Sequence, residues 1–99
     1  MGSKKKYNLP LFYNRLSAKD KKGVREQYMD QQENKCWYCK SDLNGPVPSE
    51  ILMYSIDLKL FPPNFLKSPI HLQHNHYTGM TEGAIHSYCN GVAWQYEGK

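Results

Sequence analysis

A chain of 99 residues forms one small domain, and domains of this size often rely on a metal ion or disulfide bonds for stability. Its three cysteines cannot all pair, which favours a metal site in a reducing compartment over a disulfide framework. No run of about 18 apolar residues occurs, and no apolar stretch follows the charged N-terminus, so we expect neither a membrane span nor a secretory signal.

The net charge is +4, and the basic residues are concentrated before residue 26. Most of these form two groups, which are Lys4, Lys5 and Lys6, and then Lys19, Lys21, Lys22 and Arg25. A basic segment of this kind is the usual electrostatic signature of a protein that binds phosphate backbones. A solubilising tail has the same composition, and charge alone leaves both interpretations open.

The N-terminal third is predicted to contain an irregular arm over residues 1–16 and a helix from Ala18 to about Gln32. Ser17 is the predicted N-cap of this helix, and Asp20 follows three residues later, as in a capping box. Val24 and Tyr28 lie four residues apart, with Met29 beside them, which gives a thin apolar stripe. We expect a solvated helix whose lysines face outwards.

The rest of the chain is predicted to be α+β. A tight turn over residues 36–39 is typical of a zinc knuckle, whereas the periodicity of residues 50–60 does not distinguish helix from strand. Residues 70–74 and 82–86 are predicted to be two strands of a hairpin, and residues 87–95 a final short helix.

Four potential metal ligands occur in two pairs with matched spacing. They are Cys36, Cys39, His86 and Cys89, in the pattern C-x₂-C…H-x₂-C. Tetrahedral zinc prefers four such ligands, and a closed set of four is structural rather than catalytic. The alternative is that these are ordinary buried thiols and a surface histidine. We predict a structural zinc ion whose binding stabilises the fold directly.

A second group of polar residues is not needed by this zinc site. His74 and His76 are two residues apart, so they share one face if the strand continues that far, and Asn90 directly follows the last zinc ligand. Neutral imidazole accepts protons near neutral pH, and an amide oxygen suits Mg²⁺. The spacing is compatible with a catalytic site, with a second metal site and with a polar surface strand.

Three motifs together resemble the HNH endonucleases, in the branch of the phage recombination endonuclease VII type. They are CWYC at residues 36–39, HNHYTG at 74–79 and EGAIHSYCN at 82–90. The resemblance implies a zinc-stabilised ββα-metal (His-Me finger) core over residues 35–99, with residues 1–34 as a basic N-terminal arm and helix. That branch usually has four cysteine ligands, so a histidine at the third ligand position is a departure from it.

The resemblance also implies roles for individual residues. His74 resembles the general base, Asn90 the helix ligand of a catalytic Mg²⁺ or Mn²⁺ ion, and His76 the histidine that contacts the scissile phosphate. Gln73 stands where the family usually has Asp or His as the second ligand of that ion, and a neutral amide weakens cation binding. His71, further back on the strand, is expected to be an exposed strand residue, with a ligand role as the alternative.

The predicted function is therefore that of a metal-dependent DNA endonuclease or nicking enzyme, in the cytoplasm of a bacterial or phage-infected cell. In this interpretation the two basic groups hold the DNA backbone without reading bases. The alternative is a non-catalytic zinc module that binds nucleic acid or a protein and has a degenerate active site. A homing or restriction-type enzyme is a third hypothesis, and so short a chain would need a homodimer or a partner for sequence specificity.

Overall fold

The computed structural model describes residues 6–98 as an α+β fold with a two-stranded sheet and three helices. The elements are α1 (Ala18–Gln31), α2 (Ser49–Leu52), β1 (Ile70–His74), β2 (Thr81–His86) and α3 (Ser87–Glu97), with single 3₁₀ turns at Tyr13–Arg15 and Leu58–Leu60. Lys4 and Lys5 of the predicted basic arm lie outside the described residues. Within residues 6–98, no helix is long and apolar enough to cross a membrane.

Local sequence signals explain most of these elements. The Ser17 hydroxyl accepts a hydrogen bond of 3.1 Å from the Asp20 N–H, which confirms the predicted N-cap of α1. The predicted strands and the final helix are confirmed within a residue or two. Residues 50–60, which the periodicity left open, contain most of the short helix α2 and the second 3₁₀ turn, and no strand. Asp57 caps that turn, because its carboxylate accepts a hydrogen bond from the Lys59 N–H.

β1 and β2 form an antiparallel hairpin that leads directly into α3. Ile70 is paired with His86, and Gln73 with Gly83, but the register shifts between Gln73 and His74. Such an irregularity redirects the side chain that follows it. β1 ends at His74, so the hairpin turn begins immediately after this residue.

Helix α1 packs against the hairpin, with Val24 and Tyr28 buried at the contact. The Tyr28 hydroxyl lies 3.0 Å from the Thr81 hydroxyl oxygen. The Gln32 side chain pairs with the Ala84 backbone, as its Oε1 accepts from the Ala84 N–H at 2.8 Å and its Nε2 donates to the Ala84 carbonyl at 2.9 Å. The predicted apolar stripe is therefore confirmed at Val24 and Tyr28, which cover β2, and Lys19 and Lys22 are exposed as expected, whereas Lys21 is half-buried.

The described part of the predicted arm also contacts the hairpin. The Thr81 N–H donates to the Leu11 carbonyl at 2.8 Å, and the Tyr13 N–H donates to the Gly79 carbonyl at 2.9 Å. Residues 11–13 thus lie along the turn end of the hairpin rather than apart from it. The division into regions at residues 34 and 35 stays a prediction.

Replacing Gly83 with Ala is expected to lower the free energy of unfolding by about 1–3 kcal/mol, because the added methyl group would overpack the core. A Cβ atom at this position would lie 2.6 Å from both Gln32 Oε1 and Trp37 Cδ1, and the Gln32 amide is held by its bonds to Ala84. Urea denaturation of the zinc-loaded protein measures the difference.

Gly45→Ala is the matched control, since its nearest neighbouring atoms would be at an ordinary 3.5 Å. This variant should unfold within about 0.5 kcal/mol of the parent protein, as most unconstrained surface substitutions do. If both variants were equally stable, the close approach of Gln32 and Trp37 to β2 would be refuted.

Candidate functional site

Four side chains come together where the knuckle meets the end of β2 and the first turn of α3. One ligand atom from each of Cys36, Cys39, His86 and Cys89 lies within 4.8 Å of the other three. His86 Nδ1 is 3.4 Å from Cys39 Sγ and 3.7 Å from Cys89 Sγ. Tetrahedral zinc with a bond length of roughly 2.3 Å to sulfur places its ligand atoms roughly 3.6 Å apart. These residues are therefore positioned to bind a metal ion, and the set is that of a structural zinc site.

The knuckle turn presents Cys36 as a metal-binding thiolate. The Cys36 N–H donates a hydrogen bond to the Ser41 carbonyl at 2.7 Å, and the Lys40 N–H donates one to the Cys36 carbonyl at 3.0 Å. The pKa of Cys36 is lowered, chiefly by the hydrogen bond from the Cys89 thiol and, against the effect of burial, by backbone N–H groups that include those of Tyr38 and His86. Thiolate is the form of cysteine that binds metal ions.

His86 is oriented by a contact on the far side of its ring. Its Nε2 lies 2.9 Å from the Asp42 carbonyl oxygen, which can only accept a hydrogen bond. The proton is thereby assigned to Nε2, and Nδ1 is left with its lone pair towards the three sulfur atoms. A metal-binding histidine usually has such a partner. The cluster therefore joins the knuckle to β2 and α3 in a defined orientation.

A cleft of about 530 Å³ lies between α1, β1 and the loop at residues 62–68. All four residues predicted for catalysis or for the catalytic cation line it, namely Gln73, His74, His76 and Asn90. Lys21, Lys22 and Arg25 line it too, and none of the lining residues is acidic. Lys6 and Lys19 are exposed but are not among the lining residues. The cleft is therefore a positively charged surface that suits a phosphate group.

The His74 ring is stacked on Tyr13, with ring centroids 4.1 Å apart and planes inclined by 12°. Lys21 Nζ lies 4.1 Å from the centroid of the same tyrosine ring. Burial, and then the charges of His76 and Lys21, lower the pKa of His74 below its usual value of 6.5, although Glu82 opposes them. His74 is therefore a neutral imidazole at pH 7 and can accept a proton. Tyr13 was not among the predicted site residues, because no local pattern in the sequence links it to His74.

His76 lies beside His74, but not for the predicted reason. The strand ends at His74, and the turn that follows is closed by Asn75, whose Oδ1 accepts from the N–H groups of Tyr77 and Thr78 at 2.8 and 3.0 Å. This turn brings the exposed His76 ring to 4.8 Å from the His74 ring, measured between centroids. The two histidines are adjacent because of the turn and not because of strand alternation.

Gln73 is buried in the hairpin, with 2% of its surface exposed. Its Nε2 donates to the His74 carbonyl at 3.0 Å and lies 3.4 Å from Glu82 Oε1. The amide N–H groups are thus used within the hairpin.

Asn90 contacts His71, which was expected to be an exposed strand residue. Asn90 Nδ2 lies 3.1 Å from His71 Nδ1. His71 is only partly exposed, and burial lowers its pKa. The expectation that His71 is an exposed strand residue was therefore wrong, because this face of β1 is covered by α3 and by Phe65, whose ring packs at 4.8 Å from the His71 ring.

Comparison with known proteins found no matching family model, no matching curated protein and no matching solved structure. The resemblance to HNH endonucleases therefore depends on the motifs alone.

Proposed function

We propose that this protein is a metal-dependent DNA endonuclease or nicking enzyme with a ββα-metal core, in which His74 is the general base. One observation carries the proposal. A neutral imidazole, a second histidine and the Asn90 amide line one cleft with three basic side chains and no acidic one. This combination suits the hydrolysis of a phosphodiester by an activated water molecule.

The chain's own residues have distinct tasks in this proposal. Lys21, Lys22 and Arg25 bind the backbone phosphates, which positions the DNA but carries no sequence information. The unprotonated His74 accepts a proton from the attacking water, and His76, exposed beside it, contacts the scissile phosphate. A Mg²⁺ or Mn²⁺ ion, when bound with Asn90 as a ligand, supplies positive charge for the leaving oxygen.

The structural metal has no place in this chemistry. Four protein ligands complete a tetrahedral zinc site, so no position remains for water or substrate. Its contribution is to hold α3, and with it Asn90, against the hairpin, since Cys89 lies in the first turn of that helix.

Incubating the full, zinc-loaded chain with supercoiled plasmid, a branched duplex and single-stranded DNA tests the proposal, in separate reactions with Mg²⁺ and Mn²⁺. Cleavage of at least one substrate is expected with one of these ions, and none in excess EDTA applied briefly enough to leave the structural zinc in place. Intact DNA in every reaction would contradict the nuclease function.

A non-catalytic nucleic-acid-binding module is the second candidate, and the absence of any acidic residue among those that line the cleft favours it. Without a carboxylate, the cleft holds a hard cation such as Mg²⁺ weakly. This candidate predicts retention of DNA in a gel shift that is abolished by Lys21→Ala/Lys22→Ala/Arg25→Ala, with no cleavage at any Mn²⁺ concentration. The salt dependence of the DNA association constant K checks that binding is electrostatic. A variant that neutralises fewer phosphates should show a shallower slope of log K against log salt concentration than the parent protein.

A further inference from the structure

We propose that His71 and Asn90 form the divalent cation site of the cleft, and that Gln73 is not one of its ligands. The biological use of this site rests on the proposed nuclease function, whereas cation binding itself does not. The inference assigns a role to a residue that stands three positions before the proposed base, outside the motif that resembles HNH enzymes.

The spacing of the two side chains supports the pair. Asn90 and His71 approach to 3.1 Å between Nδ2 and Nδ1, and turning the amide over would place Oδ1 where Nδ2 now lies. Two adjacent ligands of an octahedral ion, each at roughly 2.1 Å from it, are separated by roughly 3.0 Å. An ion can therefore contact Oδ1 and Nδ1 together without a shift of the backbone.

The His71 ring is oriented for this task by Phe65. The Phe65 backbone accepts a hydrogen bond from the ring, and the Phe65 side chain packs against it edge to face. With Asn90 Nδ2 as a donor to Nδ1, the ring proton is on Nε2 and the Nδ1 lone pair faces Asn90. A metal-binding histidine usually has this arrangement, in which one ring nitrogen donates to a backbone carbonyl and the other carries the lone pair that can bind an ion.

Gln73 is less well placed, although it lies on the same face of β1 as His71. Its side chain is 2% exposed, and its amide nitrogen is directed to the His74 carbonyl and Glu82 within the hairpin. Gln73 also lines the cleft, but any reorientation of its amide would disturb these bonds. His71 needs only the amide of Asn90 to turn over.

The ligand chemistry predicts which ions bind. An imidazole nitrogen and a neutral amide oxygen, with no carboxylate among the lining residues, favour Mn²⁺ and other first-row divalent ions over Mg²⁺. Two protein ligands leave the remaining positions to water and to a DNA phosphate, so binding should strengthen when DNA occupies the cleft.

Mn²⁺ titration followed by the electron paramagnetic resonance signal of the free ion tests the site, using zinc-loaded full chains and a non-cleavable phosphorothioate duplex. His71→Ala should weaken Mn²⁺ binding by at least about tenfold, because even the loss of an outer-shell partner of a metal ligand typically costs that much. Gln73→Met, which keeps the side-chain length, should leave the affinity unchanged. His71→Asp should raise the affinity for Mg²⁺ relative to Mn²⁺, because it introduces a hard anionic ligand. Zinc content and circular dichroism of each variant verify the fold.

Unchanged Mn²⁺ affinity in folded His71→Ala would overturn the inference, and so would the absence of Mn²⁺ binding by the parent chain. A loss of affinity in Gln73→Met alone would return the ligand role to Gln73. If Mn²⁺ bound as expected but cleavable DNA remained intact, the nuclease function would fail while the cation site stood.

Discussion

Replacing His86 with Ala is expected to abolish zinc binding and to unfold the protein. Structural zinc contributes about 10–16 kcal/mol to the folding of small zinc domains, whereas a whole domain is stable by only about 5–15 kcal/mol. The apolar core is small and includes the ligands themselves, as Cys36 and Cys89 are buried among its members. Without the ion, three sulfur atoms would be left close together in a buried site, and the knuckle would lose its connection to α3.

Metal content by inductively coupled plasma mass spectrometry and thermal unfolding by circular dichroism measure this effect. One zinc per chain is expected in the parent protein, with none in His86→Ala and no cooperative transition. His71→Ala is the matched control, because it removes a partly buried histidine from the same hairpin but leaves the cluster intact. A folded, cooperative and zinc-free His86→Ala would show that the four ligands do not stabilise the fold through a metal.

The Cys₃His cluster was predictable because its four residues form two local pairs. Each x-x spacing allows two side chains of one turn to reach the same ion, whatever the long segment between the pairs does. The surrounding contacts were absent from the prediction, among them the Asp42 carbonyl that orients His86 and the Ser41 hydroxyl that lies 3.0 Å from Cys39 Sγ. The start of α1 was predictable for a similar reason, as Ser17 and Asp20 are three residues apart.

The surroundings of the proposed base were not predictable, because they depend on contacts distant in sequence. Nothing near His74 indicates that Tyr13 stacks on it or that Lys21 lies beyond that ring. The lysines of α1 were expected to face solvent, whereas Lys21 lines the cleft in the helix whose Val24 is buried. The environment that lowers the pKa of His74 is thus a property of the tertiary structure.

His71 shows why a motif and a structure can point to different residues for the proposed cation site. The alternation of side chains along a strand shows which residues share a face, but it does not show which element covers that face. A register shift between Gln73 and His74 interrupts that alternation at the site itself. The contact of His71 with Asn90 depends on how α3, which carries Cys89, lies across the hairpin, and no pair of residues in the sequence encodes it locally.

Replacing His74 with Ala is expected to lower the single-turnover rate of DNA cleavage by about 10²–10⁴-fold, the usual contribution of a general base. The substitution removes the imidazole that is neutral at pH 7 and leaves Lys21, Lys22 and Arg25 to bind the backbone. DNA affinity in a gel shift should therefore stay close to that of the parent protein. A quenched-flow or manual time course at saturating protein measures the rate.

Two controls separate loss of the base from loss of structure. Added imidazole should restore part of the activity of His74→Ala, because the cavity left beside Tyr13 admits a ring that can accept the proton. Tyr77→Ala removes an aromatic side chain that is 93% exposed in the adjoining turn and does not line the cleft, so it should cleave DNA at the parent rate. If His74→Ala cleaved DNA as fast as Tyr77→Ala, the activity would come from another group, and His74 would have to be given up as the base.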